Sequence, residues 1–185
     1  MTFPFSIARS WVLSLVLGLH CVANAEPGRQ GAVFTVIEEN DLVVDTDRHY
    51  TQGIKLSYLH EDGYLPLGSG WLNDALPKPG LVPEAAKFGY SIGQNIYTPG
   101  NINTQQLLAN DRPYAGWLYL GFILQRRGKS FGDHPTLEDI ELELGVVGPA
   151  SLADRAQTWV HEIRGSGKPL GWEHQLKNEP GLRLK

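Results

Sequence analysis

Cysteine is nearly absent: Cys21 is the only one in 185 residues. A lone thiol excludes an intramolecular disulfide framework and a zinc ribbon. Charged residues make up 19% of the chain and the net charge is −4, so there is no basic field of the kind a general nucleic-acid binder carries. The hydrophobic fraction of 42% excludes an intrinsically disordered chain. Gly-x-Ser-x-Gly, P-loop, dinucleotide and His-Glu-x-x-His signatures are missing too. With 21 glycines and 12 prolines the composition favours turns and short strands over a helical bundle, and the length suits one domain.

The longest apolar run lies at the start. Arg9 precedes Trp11–Leu19, and Ala23-Asn24-Ala25 follows. This order of charge, apolar stretch and small-x-small site predicts a secretory signal peptide over residues 1–25, cleaved after Ala25. The uncharged stretch from Ser10 to Ala25 is shorter than the roughly 20 residues a spanning helix needs, which argues against an uncleaved anchor. A lipoprotein would need small residues before Cys21, where Leu19-His20 stand. Residues 26–185 then form the expected mature domain, free of cysteine and held by packing and backbone hydrogen bonds.

That domain alternates with period two. Ala32–Ile37 is β-branched and ends in Glu38-Glu39-Asn40-Asp41; Tyr50–His60 sets Ile54, Leu56 and Tyr58 against Lys55 and Ser57. Lys87–Tyr97 sets Phe88, Tyr90 and Ile92 against Gly89, Ser91 and Gly93. In Tyr114–Gln125, Trp117, Tyr119 and Ile123 alternate with Leu118, Leu120 and Phe122. Leu137–Val147 sets Ile140, Leu142, Leu144 and Val146 against Asp139, Glu141, Glu143 and Gly145. A soluble sandwich alternates in this way as well. The export signal, the small and charged residues sharing one face, and aromatics near strand ends (Tyr50, Tyr58, Tyr97, Tyr114, Trp117) favour an outer-membrane β-barrel.

One segment follows helical spacing. After Gly148-Pro149, residues 153–164 place Ala156, Trp159, Val160 and Ile163 on an apolar stripe, and Gly165-Ser166-Gly167 ends it. Gln157 and His161 are four apart and lie one above the other. His161 is the general-base candidate by residue type, with Gln157 available to hold the imidazole or to donate to an oxyanion; an exposed pair with no role is the plain alternative. Asn40-Asp41 reads either as a strand terminator or as a hard-cation or polarising site. Asp45–His49 looks metal-like but lacks the glycine and later glutamate of an EF-hand, and Glu138, Asp139, Glu141 and Glu143 read as a lumen- or solvent-facing row.

Several blocks occur in a fixed order: Glu39-Asn40-Asp41, Thr46–Gly53, Gly93–Pro99, Asn110–Leu118, Gly145–Pro149, Gln157 with His161, Gly171-Trp172 and Gln175-Leu176. The ordered set, spread over nearly all of Phe34–Leu184, resembles the outer-membrane lipid A 3′-O-deacylase family. The resemblance implies an all-β antiparallel barrel of about twelve strands in complete relatives. It also implies calcium-dependent hydrolysis of the 3′-linked acyl ester of lipid A in a Gram-negative outer membrane, with lipopolysaccharide as substrate and no nucleic-acid or protein partner evident. Carried over by motif, the active-site residues are Asn40, Asp41, Thr51, Gln157 and His161, with Asp41 as the calcium ligand. The characterised enzyme has a functional glutamate six residues beyond its His, where this chain has Gly167; Glu162, Glu173 and Glu179 are possible substitutes. A non-catalytic barrel of the same family, with a structural or binding role, is the alternative. The five clear strands and the strand-like Gly181–Lys185 fall short of a closed barrel, so the expectation is a fragment or truncated copy.

Overall fold

The computed structural model describes residues 13–19, 30–40, 52–66 and 69–185. Its centre is one antiparallel sheet in which every strand pairs with its neighbour in sequence. The strands are β1 (Leu13–Leu19), β2 (Val33–Asn40), β3 (Gln52–Leu59), β4 (Leu81–Tyr97), β5 (Ala115–Ser130), β6 (His134–Val147) and β7 (Glu179–Leu184). β1 is drawn from the apolar run read as leader, and it pairs along the edge of β2. A short helix, α1 (Gly70–Ala75), precedes β4, and α2 (Ala153–Arg164) lies between β6 and β7. No helix among the described residues is long and apolar enough to cross a membrane.

Register explains the two faces. Leu56, Ile92, Leu120, Leu144 and Leu182 are opposed across successive strands, and so are Tyr58, Tyr90, Phe122, Leu142 and Leu184. Directly opposed residues share a face, so these rows form a continuous apolar surface. Much of it is open: Ile92 is 47% exposed and Leu120 56%. Leucine and isoleucine standing open in register on five strands are what a wall toward hydrocarbon requires.

The other face carries Lys55, Ser57, Ser91, Gly93, Tyr119, Glu141, Glu143 and Arg183. It is concave: a cavity of about 430 Å³ is lined from β2 by Ile37 and Glu39, from β3 by Lys55, from β5 by Tyr119 and from β7 by Arg183. Charges here are paired across strands. Lys55 Nζ and Ser91 Oγ donate to Glu141 at 2.5 and 2.6 Å. Arg183 Nε and Lys185 Nζ meet the fully buried Glu143 carboxylate. Pairing offsets the cost of holding these ions inside the curl of the sheet. The acidic row divides accordingly, with Glu141 and Glu143 inward and Glu138 on the outward face against Arg126.

Two expectations are revised. Strands β4, β5 and β6 have 17, 16 and 14 residues, longer than the ten or so that alternation marks, because they continue past the apolar band at the α1 end. The aromatic girdle is also differently composed. Tyr114 and Trp117 are buried, Tyr97 faces the cavity, and Tyr50 lies outside the described residues. The rings that do gather at one level of the wall are Tyr58, His60, Tyr64, Phe88, Tyr90 and Phe122, with His60 stacked on Tyr64 at 3.7 Å.

The two ends of the sheet differ. At one end a tight turn of residues 131–133 joins β5 to β6, and α1 lies in the β3–β4 connection. The other end carries the connections 41–51, 98–114 and 148–178. The longest connection, residues 148–178, is at the second end, and barrels of this kind carry their longest loops outside, which assigns the second end as the extracellular one; the β3–β4 connection at the first end, residues 60–80, is long for a periplasmic turn.

Candidate functional site

The candidate residues that the structure describes lie at the extracellular end, on the outward face. Gly116, the second residue of β5, stands opposite Ile96 of β4. A Cβ built on Gly116 would stand 2.0 Å from Ser151 Oγ and 2.3 Å from the Ala153 Cβ, so only glycine lets the start of α2 rest on the wall. Gln94 Nε2 donates to the Ser151 carbonyl at 2.6 Å, and Ile96, Ile102, Tyr114, Ala153 and Trp172 form a buried cluster beneath the helix. α2 therefore lies against the outside of the sheet, above the lipid-facing rows.

The face it turns inward keeps only part of the apolar stripe expected from spacing: Ala156 packs against the cluster and Val160 is half-buried. Ala153 and Gln157 are buried and His161 is half-buried, whereas Trp159 and Ile163 stand 63% and 65% exposed. Ala153, Gln157 and His161 recur every four residues, so one helix face carries all three toward the wall. A soluble helix would bury its tryptophan. Here the tryptophan shares the outward side of a wall whose other open residues are leucine and isoleucine.

Gln157 is held by a single bond. Trp172 Nε1 donates to Gln157 Oε1 at 2.8 Å, inside the cluster. An indole nitrogen only donates, so the amide orientation is fixed and Gln157 Nε2 points elsewhere. Buried, Nε2 has no hydrogen-bond partner among the described residues. Two N–H donors are thus available in a site shielded from water.

His161 is held by backbone. Its Nδ1 lies 2.7 Å from the Gly167 carbonyl oxygen. A carbonyl only accepts, so Nδ1 carries the proton, and in the neutral ring Nε2 keeps its lone pair. The helix end creates this contact. Gly165 takes φ +66°, the Ser166 amide donates to the His161 carbonyl at 2.9 Å, and the chain turns back over its last turn. Gly167 thus sits beside the imidazole through its carbonyl, at the position where the resembled enzyme has a glutamate. Glu162 and Glu173 are exposed.

Asn40 ends β2 opposite Gln52, Gln52 pairs with Ile96, and Ile96 with Gly116. One register row therefore runs from Asn40 to the seat of α2, three strand spacings or roughly 14 Å away. Asp41 and Thr51 lie outside the described residues, each the chain neighbour of a residue in this row, and so does the Asp45–His49 run. Among the described residues no group of three or more His, Cys, Asp or Glu could hold a metal ion.

Sequence reasoning missed Trp172 and the Gly167 carbonyl. Gly171-Trp172 was visible as a motif, and Gly171 at φ +93° turns the indole into the cluster. A backbone acceptor leaves no residue signature.

A sequence model for the family described as outer membrane protein LpxR matches residues 11–185. No curated protein and no solved structure gives a match.

Proposed function

This chain belongs to the LpxR family of outer membrane proteins, and from that premise we propose that it is an outer-membrane hydrolase removing the 3′-linked ester acyl group of lipid A. The supporting observation is His161 with its Nδ1 tied to the Gly167 carbonyl, one helical turn from a buried amide with free donors, on the outside of the wall. That is the side from which a membrane lipid arrives.

In this reading His161 Nε2 takes a proton from a water molecule as its oxygen attacks the ester carbonyl carbon. The carbonyl π electrons move to oxygen, and Gln157 Nε2 donates to the oxyanion that develops. The intermediate collapses by breaking the bond to the sugar oxygen, which takes the proton back from His161. A free fatty acid and a sugar hydroxyl result. Asn40 and Thr51 position the lipid in this reading. Asp41 would hold calcium, since a carboxylate is an oxygen donor that ion takes, and the bound ion would supply polarisation of the ester carbonyl.

A second reading, a barrel without catalysis, draws on Gly167, which brings no carboxylate to the imidazole. Hydrolysis assays on the protein in detergent separate the two. The first reading expects release of a 3′-linked acyl chain that is lost in His161→Ala and in excess chelator. The second expects no release until Gly167→Glu is introduced.

A further inference from the structure

Arg126 plays no part in the site described above, yet it is completely buried on the outward face. In register it follows Leu124 and stands opposite Glu138, at the row where the apolar band ends on the periplasmic side. Four of its five guanidinium N–H donors are engaged. Nε donates to Asn73 Oδ1 at 3.1 Å and Nη2 to the Asn73 carbonyl at 3.1 Å. Nη1 donates to the Pro77 carbonyl at 2.8 Å and to Glu138 at 3.0 Å. An arginine with this set of partners clamps α1 and the turn after it against the lipid-facing wall.

Beneath the clamped segment is a groove of about 460 Å³ lined by Leu72, Leu76, Phe88, Phe122, Leu124 and Leu142. Its volume is in the range of small-molecule sites. Side chains with so few polar atoms do not hold ordered water. Phe88, Phe122, Leu124 and Leu142 belong to the outward rows, so the groove is continuous with the surface that meets hydrocarbon. Trp71 stands 68% exposed at its rim, as interfacial tryptophans do. Two residues beyond Leu76 in the chain, Lys78 Nζ donates to the Asp74 carbonyl at 3.3 Å, and an ammonium has further donors that a phosphate could take.

We propose that this groove holds one acyl chain of a glycerophospholipid from the periplasmic leaflet, with its phosphate at Lys78. The site is separate from α2 and stands whether or not the chain is a deacylase. Its test is photolabelling of the full chain in phosphatidylethanolamine and phosphatidylglycerol vesicles containing a trace of phosphatidylethanolamine with a diazirine-bearing chain. Label should concentrate on Leu72, Leu76 and Leu124 about tenfold over Ile92 and Leu120 on the open band, the ratio that about 1.4 kcal/mol of preference gives. Filling the groove with Leu124→Trp, or with Leu142→Trp should the first variant not fold, should bring groove labelling down to the band level. Lys78→Gln should lower groove labelling several-fold. Equal labelling of groove and band, or labelling indifferent to the tryptophan variants, would overturn the site. Groove labelling unchanged in Lys78→Gln would overturn the assignment to a glycerophospholipid.

Discussion

At the scale of single residues, His161 and Gln157 differ in what holds each of them. The imidazole takes its orientation from a backbone carbonyl and the amide takes its orientation from an indole. Gln157→Leu leaves the buried Trp172 Nε1 without its acceptor, a loss of about 1–3 kcal/mol. If Gln157 is the oxyanion donor, the same change lowers kcat by about 10²–10³; Gln157→Glu keeps the indole's acceptor but removes the donors. Thermal melts and initial rates on the two variants separate holding from donating: both should lose rate, and only the leucine variant should lose the indole bond. The four-residue spacing of Gln157 and His161 was legible in the sequence because a helix turns once in that distance. Their partners were not, because Trp172 arrives from a later segment and Gly167 acts through an atom every residue has.

At the scale of elements, α2 depends on two glycines with different tasks. Gly116 keeps the wall flat where Ala153 lands, and Gly116→Val would force the helix off its seat. Gly165 supplies the left-handed turn that carries Gly167 back to the imidazole. Gly165→Ala should cost about 1 kcal/mol in stability. It should also loosen the Nδ1 contact, which nitrogen NMR of the imidazole reads as a shift toward mixed tautomers; a single unchanged tautomer would contradict the role given to this turn. The helix itself was legible from residues 153–164. Its orientation was not, since Trp159 and Ile163 at helical spacing read as a core stripe only if the surroundings are water. Beside a lipid-facing wall Trp159 and Ile163 stay open, and the helix buries Ala153 and Gln157 instead, with His161 half-buried on the same face.

At the scale of the whole molecule, alternation gave the strands and their two faces, and which face turns outward follows from where the charges gather. Glu141, Glu143, Lys55 and Arg183 pair inside the curl, and the leucine rows are left outside. Leu120→Lys near the middle of the band should lower stability in vesicles by about 2–4 kcal/mol. Ser57→Lys on the inward face should stay within about 0.5 kcal/mol. Denaturant titrations of the vesicle-embedded protein decide between this orientation and its inverse, in which the two costs would be exchanged. Strand lengths and the aromatic girdle were less legible, because period two marks a face but not the level at which the membrane ends. The Asn40–Gly116 register row leads from the end of β2 to the seat of α2. The most direct test is mass spectrometry of lipid A from cells expressing this protein with calcium present, beside cells expressing His161→Ala. The account predicts loss of the 3′-linked acyl chain with the native protein and intact lipid A with the variant. Intact lipid A in both, or equal loss in both, would contradict it.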